Sequence, residues 1–164
     1  MRRLAHCSLA LVLVLSTSLS SGGSTQNNKR TDPEMVIVFV CEHGSAKSVV
    51  AAAHFNRLAI ARKVSIRAIA RGTNPDQTIA PSTAAGLKSD GLPIGIKRPK
   101  KLATSDFSRA IRVIAMCELP GAYSDDVRVE KWDDVPSVGE DYGKARDLLV
   151  QKIVRLLDQL TLAR

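Results

Sequence analysis

Residues 35–40 form an unbroken apolar run, Met-Val-Ile-Val-Phe-Val, rich in β-branched side chains. A strand with nothing polar on either side is buried on both faces, the pattern of a parallel sheet covered by helices. The Ala-rich residues 46–62 that follow are good helix formers. Residues 64–70 alternate weakly and read as a second strand. Residues 71–81 hold Gly72, Asn74, Pro75 and Pro81 and read as a loop. A short helix over 82–89 stops at Asp90-Gly91, and 92–101 is irregular and basic. A helical turn over 104–110, a third buried strand over 111–116 and a fourth strand over 127–131 complete the middle of the chain. From 140 to 162 the apolar positions Leu148, Leu149, Ile153, Leu156, Leu157 and Leu160 recur at helical spacing. Strands alternating with helices predict one α/β domain of three layers, with a four-stranded, mostly parallel sheet and helices on both faces.

Composition narrows the function classes. Aromatics are only 4% of 164 residues, too few for a surface that stacks nucleic-acid bases. The core is therefore built from Ala, Val, Ile and Leu. Lys and Arg number 24 against 16 acids, a net charge of +8 that suits an anionic ligand. Three cysteines make no multi-disulfide scaffold and match no zinc spacing. No metal or organic cofactor is expected. No 18-residue apolar stretch exists, so no stable membrane insertion is expected.

The first residues read as a targeting segment. A short basic start at residues 1–3 precedes a mostly apolar stretch over 4–15 and small, polar residues over 16–25. That order is a secretory signal peptide. The reading divides the chain into a signal peptide at 1–24, a linker at 25–34 and a domain at 35–164. It predicts a secreted or periplasmic protein, or a cytoplasmic one if the signal is not used.

The segment Cys41-Glu42-His43-Gly44-Ser45-Ala46-Lys47-Ser48 carries most of the chemical information. Ligands of parallel sheets bind at the carboxyl ends of strands. Cys41 stands at such an end, just before a helix. A loop that wraps into a helix N-terminus turns several backbone N–H groups to one point, and the helix dipole adds partial positive charge. A cysteine at the base of that loop gains reactivity because its thiolate is stabilised. Gly44 permits the backbone angles of the wrap. Lys47 adds a full charge beside the anion, and the Ser48 hydroxyl can donate to the sulfur. Together they make a nucleophile under an oxyanion cradle. The Lys-Ser pair is not the end of a nucleotide-binding loop. That motif needs Gly directly before Lys and again five positions earlier, where this chain has Ala46 and Cys41.

These residues resemble the low-molecular-weight protein tyrosine phosphatases and the related thioredoxin-coupled arsenate reductases, over about residues 35–160. That family ends a strand in Cys-x5-Arg-Ser. The resemblance makes Cys41 the nucleophile, Ser48 the thiolate-bonding serine, and Glu42, His43, Gly44, Ser45 and Ala46 the substrate-binding loop. Ala70-Arg71-Gly72-Thr73 looks like the Ser-Ala-Gly-Thr turn after the second strand. Trp132-Asp133-Asp134-Val135-Pro136 resembles the late Asp-Pro loop that supplies the general acid, with Asp134 the favoured acid and Asp133 the alternative. Ile114-Ala115-Met116-Cys117 resembles the reductase segment with a second, redox-active cysteine, although no third cysteine follows.

Two departures stand out. Lys47 occupies the place of the signature arginine, exchanging a planar two-pronged donor for a point charge. Arg71, counted with the substrate-binding residues, could in principle reach into the cradle and compensate. The late loop reads Asp-Val-Pro where the family has Asp-Pro. The resemblance implies hydrolysis of phosphate monoesters, phosphotyrosine or another aryl phosphate, through a cysteinyl-phosphate. The alternatives are a degenerate module that holds an oxyanion without turnover and a thiol redox protein pairing Cys41 with Cys117. The implied partners are a phosphorylated small molecule or phosphoprotein, with an inorganic oxyanion as a further ligand.

Overall fold

The computed structural model describes residues 35–162. The expected signal peptide, the linker and the last two residues lie outside them. The elements run β1 (Met35–Cys41), α1 (Lys47–Ala61), β2 (Ile66–Gly72), α2 (Pro81–Ser89), α3 (Thr104–Arg109), β3 (Ala110–Ala115), α4 (Gly121–Ser124), β4 (Val129–Lys131) and α5 (Tyr142–Leu162). The four strands form one sheet in the order β2-β1-β3-β4. All three neighbouring pairs are parallel, so the expected mostly parallel sheet is wholly parallel among the described residues.

The apolar run explains the sheet's centre. β1 lies between β2 and β3, and its side chains alternate between two cores. Ile37, Phe39 and Cys41 pack with Val50 and Phe55 of α1 and with Leu149 and Ile153 of α5. Val36, Val38 and Val40 pack on the opposite face with Phe107 of α3. Both cores need apolar residues from the same strand, so no alternation with polar residues is possible. Phe39 anchors the first core, with ring centroids 6.0 Å from Phe55 and 5.8 Å from Trp132. Such contacts let a chain poor in aromatics fix the strand and the later Trp132 segment against each other.

The same order fixes the place of a site. The chain leaves β1 toward β2 on one side and returns to β3 on the other. A crevice opens outside the carboxyl ends of the strands at such a reversal. Cys41, the last residue of β1, lies there. One short element, α4, was not expected. A single turn beginning after Pro120 is too brief to leave a periodic signal. No described helix is long and apolar enough to cross a membrane.

Candidate active site

Cys41 ends β1 and is 5% exposed. Its Sγ donates to Ser48 Oγ at 3.2 Å, a fully buried hydroxyl on the first turn of α1. When the sulfur is a thiolate, the same hydroxyl turns and donates to it.

The loop between them is held from outside. Thr73, Asn74, Asp76 and Ala80 donate their backbone N–H groups to the carbonyls of Cys41, Glu42, His43 and Ser45, at 3.2, 2.8, 3.0 and 3.1 Å. In a trans peptide the C=O of one residue and the N–H of the next point opposite ways. Carbonyls drawn toward the 73–80 segment therefore turn the amides of Glu42, His43, Gly44 and Ala46 to the other side. α1 begins at Lys47 with Ala46 as its N-cap, no side-chain cap and no acid in its first turn. Its dipole and first amides are thus left for a ligand. This is an anion cradle made of backbone.

Two glycines make the wrap possible. Gly44 has φ +61°, and a Cβ there would come within 2.8 Å of Gly72 N. A Cβ on Gly72 would come within 2.8 Å of Gly44 N and 2.9 Å of His43 C. Both neighbours are main chain, which cannot turn aside as a side chain can. Gly72 is itself fixed, its N–H donating to Lys100 O and its carbonyl accepting from Leu102 N, each at 2.9 Å.

The charged residues are placed less simply. Lys47 Nζ donates to Val135 O at 2.8 Å and so ties the start of α1 to the late loop. Arg71, which could have compensated, is turned to other partners. Its Nε and Nη2 pair with Asp106 at 2.8 and 2.9 Å, and its Nη1 donates to Ala70 O at 2.8 Å. Burial would push the Asp106 carboxyl up, but hydrogen bonds from Arg71, Arg109 and the Ala103 amide hold it below its ordinary value. The reason for the correction is local: Asp106, buried at the start of α3, takes all that Arg71 offers on that side.

The late loop is pinned by its apolar members. Trp132, Val135 and Val138 are buried in the first core, while Asp133 and Asp134 are exposed. Asp134 Oδ1 lies 2.8 Å from Lys152 Nζ on α5. That hydrogen bond outweighs the small effect of burial and holds the Asp134 carboxyl below its usual range. The favoured acid is thus engaged by Lys152 in this arrangement. Among the described residues, no hydrogen bond or ion pair occupies the Asp133 side chain. Sequence reasoning missed Lys152 because one lysine on a helical face carries no signal of its pairing.

At the outer rim, His43 Nδ1 lies 3.3 Å from Asp76 Oδ1, and Asp76 Oδ2 accepts from Ser45 Oγ at 2.6 Å. Asp76 fastens the cradle through both side chain and backbone. It sits in the 71–81 stretch, where the Asn-Pro-Asp run signalled only a turn. Glu42 is exposed, as expected of an acid next to an anion site. Cys117 is a free, half-buried thiol packed on the second core. Burial pushes its thiol up, the negative charges of Cys41, Glu42 and Glu118 push the same way, and a Thr73 hydrogen bond opposes them. A thiol held up in this way has less of the reactive thiolate.

The sequence matches the low-molecular-weight phosphotyrosine protein phosphatase family over residues 36–123. The chain belongs to that family. The match takes in the cradle, Arg71 and Cys117 and ends before the late loop, where the chain departs from Asp-Pro. No curated protein sequence matches. The fold is that of YfkJ from Bacillus subtilis, with 16% identity, a TM-score of 0.71, and 82% of this chain and 99% of that one covered. It is similar to the low-molecular-weight protein tyrosine phosphatase from T. tengcongensis at 22% identity and a TM-score of 0.64, covering 76% and 99%. It is also similar to a Corynebacterium glutamicum thioredoxin-dependent arsenate reductase, at 20% identity and a TM-score of 0.61, covering 82% of this chain and 65% of that one.

Proposed function

We propose that the protein hydrolyses phosphate monoesters, aryl phosphates in particular, through a cysteinyl-phosphate on Cys41. One observation carries the reading: Sγ sits at the base of a loop whose Cys41, Glu42, His43 and Ser45 carbonyls are drawn outward to the 73–80 segment, 3.2 Å from a buried hydroxyl. In the first step the Cys41 thiolate attacks phosphorus in line with the leaving oxygen. The S–P bond forms, the P–O bond breaks, and Asp133 gives the departing oxygen its proton. The inward amides and the α1 dipole stabilise the charge on the equatorial oxygens. In the second step Asp133 takes a proton from water as the water oxygen attacks phosphorus. Inorganic phosphate leaves, and Ser48 receives the thiolate with a hydrogen bond. Asp133 rather than Asp134 is assigned because Lys152 occupies Asp134. Aryl phosphates fit because a phenolic leaving group asks less of the acid than an alkoxide does.

A second reading, an oxyanion-binding module without turnover, has support of its own. Lys47, Arg71 and Asp134 are each engaged by another partner. Turnover of p-nitrophenyl phosphate under reducing conditions separates the two. Activity that disappears in Cys41→Ser supports the enzyme. Binding of inorganic phosphate with no turnover supports the module. Export by residues 1–24 belongs to the same proposal, and an intact Met1 on protein from the native host's cytoplasm would contradict it.

A further inference from the structure

A second concave surface lies outside the cradle. α1, the outer edge of β2 and the 92–100 segment enclose a groove of about 670 Å³. That is within the roughly 300 to 1,000 Å³ of small-molecule sites. Its buried lining is apolar, with Ala52, Ala68 and Ile69 among it. Ile60, also on the groove, is 78% exposed, a large apolar side chain left in water.

The charged lining is entirely of one sign. Arg57, Arg67, Arg71, Lys100 and Arg109 line the groove, and no acid does. Asp106, behind them, pairs with Arg71 and Arg109 and offsets one charge of that pair. Arg57 and Lys100 have no acidic partner among the described residues. The 97–101 run of basic residues supplies the Lys100 wall, so one face of that run borders a cavity.

The edge of β2 does not invite another strand. Asn56 bonds both polar groups of Ala68, donating from Nδ2 to its carbonyl at 3.0 Å and accepting its N–H at 2.8 Å. Arg71 covers the Ala70 carbonyl, and Gly72 is paired with Lys100 and Leu102. Strand addition needs those groups free. A compact occupant remains.

We propose that this groove is a second ligand site, for a small organic anion whose apolar body covers the Ala and Ile lining and whose carboxylate, sulfonate or phosphate meets Arg57 and Lys100. The apolar part sets it apart from the cradle, whose donors are backbone amides. The groove also adjoins the cradle's support. Arg71 lines it, and the next residue, Gly72, backs Gly44.

Binding of 8-anilinonaphthalene-1-sulfonate, followed by its fluorescence, tests the site. The titration is repeated with saturating inorganic phosphate to fill the cradle. The expected result is saturable binding that phosphate does not displace. It should weaken about tenfold or more in Arg57→Glu/Lys100→Glu and also in Ile60→Glu. All three changes are at exposed positions, and an unchanged thermal midpoint confirms that the fold is intact. Displacement by phosphate, or affinity unchanged in these variants, would overturn the proposal.

Discussion

Lys47 Nζ and the Val135 carbonyl are 2.8 Å apart, so the cation beside the nucleophile's loop also holds the late loop in place. An ammonium has three donors on one point. One is spent on Val135, and the rest cannot form the planar fork that matches a transferring phosphoryl group.

Replacing Lys47 with Arg restores a fork while leaving a donor for Val135. The gain belongs mainly to the catalytic rate, because the fork matches the planar transition state better than the ground state. Steady-state kinetics with p-nitrophenyl phosphate should show kcat about tenfold higher or more, roughly 1.4 kcal/mol, with KM little changed. Lys47→Ala should weaken phosphate binding and leave the domain folded. No gain in Lys47→Arg would show that the site lacks more than its arginine.

Asp133 and Asp134 are adjacent and differ in environment. Asp134 is paired with Lys152 and held below the usual carboxylate range. Asp133→Asn should therefore lower kcat on the order of a hundredfold, the size of one general-acid contribution. Asp134→Asn should stay within about threefold of wild type, as expected for an exposed ion pair of little energetic weight. The reverse ranking would return the acid to Asp134 and require Lys152 to release it during the reaction.

Gly44 and Gly72 touch main chain to main chain. Gly44→Ala combines a strained φ with a 2.8 Å contact. Gly72→Ala places its Cβ against the same loop without the strain. Both should cost roughly a hundredfold or more in kcat/KM, comparable with losing an oxyanion donor. Gly44→Ala should also lower the melting temperature more than Gly72→Ala does, since only it carries the left-handed angle. Unchanged activity in both would mean that the outward-facing carbonyls do not define the cradle.

Most of the fold was legible because its signals are local. The apolar run gave β1, and the helical spacing of Leu149, Ile153, Leu156 and Leu157 gave α5, all four of them buried. Element ends moved by a few residues, as they do where the last turn or pair depends on packing. In the site, Cys41 and Ser48 were readable because strand, glycine and helix start coincide within eight residues. The destinations of Lys47, Arg71 and Asp134 were not readable. Each meets a partner between 18 and 88 residues away in sequence. Such pairings come from topology, which residue type alone does not encode. Arg71 shows this most clearly, because nothing near it in sequence announces Asp106.

Asp106 sets an acid limit on stability. Its carboxyl is held below the ordinary 3.8 in the folded state by Arg71 and Arg109, against the effect of burial. A depressed carboxylate adds stability that is present above the unfolded value and lost as pH falls through the folded one. Melting temperature should therefore fall steeply below about pH 4, by linkage. Asp106→Asn should melt lower at neutral pH and show a shallower acid slope. An equal slope in both proteins would place the acid sensitivity elsewhere, for example at Asp90, which Tyr142 and Arg146 hold down against burial.

The central claim is that Cys41 carries the phosphoryl group. Rapid acid quench of the protein mixed with p-nitrophenyl phosphate, followed by peptide mass spectrometry, reads this directly. The account predicts a phosphate adduct on the peptide containing Cys41, none on the peptide containing Cys117, and none in Cys41→Ala. Release of p-nitrophenol with no adduct on Cys41, or its persistence in Cys41→Ala, would contradict it.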